Sequence, residues 1–375
     1  KAVIDFEDPE KCEVRSYKPT TKGNYVQVRR VMAALEEAEK PLICIGGGVF
    51  AAHAENEIRE LADLMQIPVI TTMMGISVFP DDDQLFCGMI GTHGVKMANA
   101  AVNECDVLFL VGARVGDRAV KTPLALEKTT KIIHIDIDPA EIGKNIGADL
   151  PLVGDAKLVL QQMTELAKPM KHDEWIAHIK TLGGERKYVE PAKGTVNPRV
   201  FIDRLAKKMP ANVTVVADVG QNQIWTCTEY KFRKEGRLLT SGGMGTMGYS
   251  VPAAIGAKMA DNSRATVAIC GDGAFQMSFM ELATAVQFGV DIKVVVMTNN
   301  RLGMVRELQT NGYHDRQTAV FLDGSPDFIK LAEAYGIPAM RVYDDDTMEK
   351  GVEMLAEHKG ICLVEVVVDK DMPTL

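Results

Sequence analysis

Along most of the chain a short apolar run leads into a glycine-bearing turn, and then into a stretch with apolar residues at helical spacing. In the first half the apolar runs are PLICIGG (41–47), IPVITTM (67–73), DVLFLVGAR (106–114) and KIIHIDIDP (131–139). In the second half they are VTVVADVG (213–220), ATVAICG (265–271), DIKVVVMTN (291–299) and ICLVEVVVD (361–369). Val, Ile and Leu fill these runs with little alternation, as in strands covered on both faces. Segments 54–66, 251–260, 278–289 and 325–336 have helical periodicity. The repeated alternation predicts an α/β fold with two doubly wound parallel sheets. From about Met163 to Pro198 the texture turns polar and Pro/Gly-bearing, which predicts a helix around Trp175 inside a linker. The expected division is a first domain over 1–165, a linker with a short helix over 166–197, and a second domain over 198–375.

Composition narrows the picture only slightly. With 375 residues, 46% of them hydrophobic, the chain can bury two large cores. A formal net charge of -9 and scattered Lys and Arg argue against a broad nucleic-acid surface. No apolar run reaches membrane-span length, so no membrane partner is expected. The seven cysteines include no CxxC pair, and several lie inside apolar runs. They read as buried free thiols of a reducing, cytoplasmic compartment, with neither a disulfide frame nor a zinc site. The opening residues KAVIDFEDPEK carry no signal-peptide pattern and read as the interior of a longer chain, with an N-terminal portion missing.

The chemistry sits at strand ends. ADVGQNQ (217–223), CGDGAF (270–275) and TNNRLGM (298–304) each close an apolar run, and TSGGMGTMG (240–248) adds a glycine-rich loop. In open parallel sheets ligands bind outside the carboxyl ends of strands. Asp272 and Asn299 would offer hard oxygen ligands suited to Mg²⁺ or Ca²⁺, and two are too few unless waters and phosphates complete the shell. The surrounding glycines let backbone N–H groups approach an anion closely. The combined reading is a metal-bridged diphosphate, although either motif alone is more often a plain turn.

GDG, then 25 residues, then NN resembles the signature of the thiamine diphosphate-dependent decarboxylases and carboligases. The resemblance implies that Asp272, Asn299 and the carbonyl of Arg301 hold Mg²⁺. It implies that Gln221 and Asn222 lie near the diphosphate and that Met247 supports the thiazolium. Val219, Gly220, Gly245, Gly271, Gly273, Ala274, Leu302, Gly303 and Met304 would complete the thiamine diphosphate contacts. LTSGGMGTMGYSVPAAIGA and NNRLGMVRELQ are, more narrowly, similar to the acetolactate synthase family. That likeness implies decarboxylation of pyruvate and condensation with a second 2-oxo acid to give 2-acetolactate. It also implies self-association as a dimer or tetramer, and a regulatory small subunit.

The same likeness makes the first half a Rossmann-like middle domain that binds FAD, though CIGGGV (44–49) lacks a full GxGxxG. The implied FAD contacts are Gly47, Gly48, Thr72, Met73, Thr92, His93, Gly94, Gly112, Arg114, Arg118, Asp136, Ile137, Gly154 and Asp155. Two departures from the family are visible. Val115 and Gly116 replace its aromatic-and-acidic pair, which bears on FAD affinity. Leu308 stands where a Trp helps select the second substrate. The glutamate that activates thiamine in this family has no counterpart among these residues, whose Glu side chains read as solvated helical faces. No catalytic side chain is therefore assigned, and a fragment inactive by itself is expected. The rival readings are a sister enzyme of the pyruvate oxidase or sulfoacetaldehyde acetyltransferase type, and a non-catalytic dinucleotide-sensing module.

Overall fold

The computed structural model describes residues 18–184 and 188–375; Cys12 and the start of the expected first domain lie outside the described residues. Two six-stranded sheets form, and every recorded strand pairing is parallel. The first contains β1 (Pro41–Ile45), β2 (Val69–Thr71), β3 (Phe86–Met89), β4 (Val107–Val111), β5 (Lys131–Asp136) and β6 (Leu150–Val153). Their spatial order is β3-β2-β1-β4-β5-β6. The second contains β7 (Thr214–Ala217), β8 (Arg237–Thr240), β9 (Thr266–Gly271), β10 (Lys293–Thr298), β11 (Ala339–Val342) and β12 (Cys362–Val367). Their order is β11-β12-β10-β9-β7-β8.

The eight predicted strands are all present. They are the central ones, and β1, β4, β7 and β10 are buried along their whole length. Four further strands, β3, β6, β8 and β11, occupy the four sheet edges. Each edge strand has only four residues, some of them partly exposed, so its sequence carries no long apolar run. Helices Glu55–Met65 and Phe328–Ala334 lie within predicted segments, and helix Ser250–Ala260 begins one residue before its segment. Segment 278–289 differs: a 3-10 turn over Phe279–Glu281 precedes a helix over Leu282–Gln287. The tighter i→i+3 bond from Glu281 N to Ser278 O accounts for the break. The helix around Trp175 spans Asp173–Thr181 and packs on the first sheet, with Trp175 Nε1 donating to Pro41 O at 3.0 Å.

Hydrophobic layers cover both faces of both sheets. Ile76 and Met89 from the first half join the layer that contains Val215 and Trp225. A polar latch runs beside them. Leu238 N donates to Ser77 Oγ, and Phe232 and Asp81 exchange two bonds of 2.8 Å, Asp81 N to Phe232 O and Phe232 N to Asp81 Oδ2. Arg237 Nη2 reaches Glu55 Oε1 at 2.9 Å. Together these contacts fix how the carboxyl edge of the first sheet meets the start of edge strand β8 in the second.

Between β1 and β4 the chain order reverses, and there the backbones approach closely. Gly48 N donates to Gly112 O at 3.0 Å, and a Cβ on Gly46 would lie 2.1 Å from Gly112 O. Gly46→Ala is expected to destabilise the chain by about 3 kcal/mol through that backbone clash. The control Gly256→Ala, on an exposed helical position with open space around it, should gain about 0.5–1 kcal/mol. Urea midpoints of the two variants check the pair.

Candidate functional site

The carboxyl ends of β7, β9 and β10 converge, and β7 and β9 flank the point where strand order reverses in the second sheet. Asp272 follows β9 directly and is 2% exposed. Its Oδ1 accepts Gly273 N at 2.8 Å, and its Oδ2 accepts Asn300 N at 2.6 Å and Asn299 N at 3.1 Å. Burial pushes its carboxyl up to about 6, outweighing those three backbone bonds, which pull it down. A carboxylate has about four acceptor positions, so one stays free for a ligand. Asn300, whose N–H follows that of Asn299 in reaching Asp272, is left-handed, with φ 52°.

Asn299 Oδ1 accepts Arg301 N at 3.1 Å, and its Nδ2 donates to Gln221 Oε1 at 3.2 Å. The Arg301 guanidinium turns away, over the Phe321 ring and toward Asp323. Asn222 Nδ2 ties β7 to β9 through Asp218 O at 2.8 Å and Ile269 O at 3.2 Å. Gly303 admits the Gln221 side chain; a Cβ there would lie 1.9 Å from Gln221 Oε1.

A cavity of about 550 Å³ opens over these groups. Val219, Gly220, Gln221, Asn222, Met247, Gly271, Asp272, Gly273, Ala274, Asn299, Arg301, Leu302, Gly303 and Met304 all line it, as the sequence grouping anticipated. Gly245 does not; it lies in the exposed loop after β8. Among the described residues no three His, Cys, Asp or Glu side chains cluster as a metal cage. A metal ion here would thus rely on Asp272, amide and carbonyl oxygens, and ligands it brings with it.

The opposite wall comes from the first sheet. Thr92 and His93, after β3, and Arg118, after β4, line the same cavity, although all three were grouped with a dinucleotide. Burial, then the neighbouring Arg118, hold the His93 imidazole below its ordinary value, with Glu307 pulling the other way. The remaining residues of that group stay along the carboxyl edge of the first sheet, outside the cavity. Several have structural duties there. Gly48 and Gly112 pack on each other, Gly154 packs on Thr21 and Gly23, and Asp155 caps the helix Ala156–Thr164. Thr72 N pairs with Ile45 O, Met73 begins a 3-10 turn, Gly94 N bonds Gly91 O, and Arg114 O accepts Asn145 Nδ2. Asp136 Oδ1 accepts Asp138 N beside Ile137, and Gly47 faces Met74.

Sequence reasoning missed several residues. Asp218 is fully buried at the end of β7 and accepts Val219 N, Gly248 N and Ser250 N, which pins the glycine-rich loop. An acid after an apolar run was the available signal, the same one that drew notice to Asp272. Trp225, Asn311, Thr374 and Leu375 also line the cavity, with no local motif to mark them. Glu307 does too, which corrects the expectation that the Glu residues are solvated helical charges. It lies on the cavity-facing side of helix Gly303–Gly312, and Thr374 donates to it. Leu308 sits at the rim, 60% exposed. The six described cysteines are buried and unpaired, and burial raises the Cys44, Cys87, Cys105 and Cys227 thiols to about 12, which makes them unreactive. No helix of the described residues is long and apolar enough to cross a membrane.

Comparison with known proteins places both halves. Residues 28–163 match the central domain of thiamine pyrophosphate enzymes, and residues 218–366 match their C-terminal TPP binding domain. The chain is 39% identical over 380 residues to the probable acetolactate synthase large subunit of Methanocaldococcus jannaschii, covering 98% of this chain and 64% of that protein. It is 35% identical to the acetolactate synthase isozyme 3 large subunit of Escherichia coli K12, covering 96% and 65%. It is 36% identical to the acetolactate synthase large subunit of Buchnera aphidicola subsp. Schizaphis graminum, covering 91% and 61%. The chain thus spans less than two thirds of the length of these relatives.

Moving the Asp272 carboxyl from its ordinary 3.8 to about 6 makes metal-free stability depend on pH. Below the lower value the group is protonated in both states and costs nothing. As pH rises to about 6 the unfolded chain gives up the proton first, and the native state loses on the order of 3 kcal/mol. Urea midpoints without divalent metal should show this decline in the wild type and its absence in Asp272→Asn; parallel curves would refute it.

Proposed function

This chain belongs to the thiamine pyrophosphate enzymes, and we propose that it is the catalytic chain of an acetolactate synthase. In this reading pyruvate is decarboxylated and the remaining two-carbon unit is joined to a second 2-oxo acid, giving 2-acetolactate. The observation that carries the reading is the Asp272–Asn299 pair, set at the carboxyl ends of β9 and β10 beneath the cavity.

The residues fit a Mg²⁺-held diphosphate. Asp272 keeps one acceptor position free, Asn299 offers an amide oxygen, and Arg301 a main-chain carbonyl. Gly271 and Gly303 keep the floor low where the phosphates would lie. Met247 stands beside Gly273, where a Cβ would come within 3.4 Å of its Cε, and so offers an apolar support above the metal ligands. Thiamine diphosphate bound there would supply the electron sink for decarboxylation. The chain itself supplies binding, orientation and a largely apolar lining that limits water. Arg118 and His93, across the cavity, provide cationic and hydrogen-bonding groups for the carboxylate of a 2-oxo acid.

For FAD the support is thinner. Gly47, Thr72, Met73, Arg114, Asp136 and Ile137 remain available along the carboxyl edge of the first sheet. Gly48, Gly112 and Asp155 are committed to packing or capping. A flavin absorbance spectrum of the purified chain tests this part. Self-association, and the small subunit implied by relatives named large subunits, belong to the same proposal.

Calorimetry with thiamine diphosphate and Mg²⁺ tests the site. Asp272→Ala is expected to weaken binding by roughly 100-fold, since it removes a metal ligand outright; equal affinity would overturn the reading. Within the full-length protein, pyruvate should yield 2-acetolactate, whereas acetyl phosphate would indicate an oxidase. Arg118→Leu should raise the KM for pyruvate by about tenfold, the scale of one charge-assisted hydrogen bond.

A further inference from the structure

Gln221, 4% exposed, stands between two kinds of partner. Its Nε2 donates to Met372 O at 2.9 Å and to Thr374 Oγ1 at 3.2 Å, with a Glu307 oxygen at 3.5 Å. Its Oε1 accepts from Asn299 Nδ2 at 3.2 Å. A carbonyl and a carboxylate can only accept, so the end of Gln221 facing them must be its nitrogen. Thr374 donates both its backbone N–H and its hydroxyl to Glu307, so the hydroxyl proton is taken and the oxygen can only accept from Gln221. At the far end, Arg301 N is a donor, so Asn299 must turn its Oδ1 toward it, which leaves Nδ2 for Gln221. Both ends of the relay thus dictate the same polarity.

We infer that Glu307 and Thr374 form a positioning pair that, through Gln221, keeps the Asn299 amide oxygen rather than its nitrogen available to a divalent cation beside Asp272. This rests on the metal reading given above. An amide nitrogen has no lone pair to offer a cation, so a rotated Asn299 would abolish one ligand without changing shape. The pair acts from a distance: Thr374 is 2% exposed in a segment far along the chain from Asn299, and together with Arg301 N at the other end it holds the orientation in which Asn299 presents its oxygen. Neighbouring hydrogen bonds of one direction also strengthen one another in a low-dielectric interior.

The test uses Mn²⁺ with thiamine diphosphate as the probe and follows free Mn²⁺ by electron paramagnetic resonance. Wild type, Thr374→Val, Thr374→Ser and Asp272→Ala are compared, with thermal unfolding of each as a check on folding. Valine keeps the shape and removes the hydroxyl, and it should weaken Mn²⁺ binding about fivefold, the scale of one net hydrogen bond. Serine keeps the hydroxyl and should bind like wild type even if it lowers thermal stability. Equal losses in the two variants would mean packing rather than polarity, and would overturn the pair. So would an unchanged Thr374→Val alongside a disabled Asp272→Ala. No Mn²⁺ binding by wild type, or Asp272→Ala binding like wild type, would overturn the metal reading and the pair with it.

Discussion

Asp272 takes its three hydrogen bonds from main-chain N–H groups on both sides of the gap between β9 and β10. It does so with almost no contact with water. A buried carboxylate is costly unless its neighbours are held where it needs them, and those neighbours define the cavity floor. The left-handed turn at Asn300, the direction of the Asn299 side chain and the entry of helix Gly303–Gly312 follow from it. Asp218 repeats the device one strand away, fastening the glycine-rich loop and the start of helix Ser250–Ala260. Two buried acids at neighbouring strand ends thus organise the floor and one side of the site.

What the sequence made legible, and what it hid, follows burial. Central strands such as β4 and β10 need apolar residues on both faces, so they appear as unbroken Val, Ile and Leu runs. The edge strands β3, β6, β8 and β11 have one free flank and four residues each, and nothing in FCGM or AMRV separates them from a loop. The site divides the same way. Residues next to glycines at strand ends were readable, because close backbone approach demands glycine. Glu307 and Thr374 were not, because only tertiary folding brings them to Gln221.

The cavity also gives part of the first half a position that its motifs alone did not show. His93 and Arg118 follow β3 and β4 as a dinucleotide ligand's contacts would. The meeting of the two sheets brings them to the same cavity as Asp272. A wall with a cation and an imidazole thereby faces a floor with acids and amides. Neither sheet alone could enclose a small molecule between these two unlike surfaces.

The latch between the halves is made mostly with main-chain atoms on one side. Asp81, Ser77 and Arg59 reach the backbone of Phe232, Leu238 and Lys234, and Arg237 with Glu55 is a side-chain pair. Those bonds do not read the identity of residues 232, 234 or 238. Substitutions there can accumulate without loosening these bonds, provided the buried faces stay filled. The angle between the sheets is therefore insulated from sequence drift, and the cavity lining is free to diverge toward new substrates while its frame stays in place.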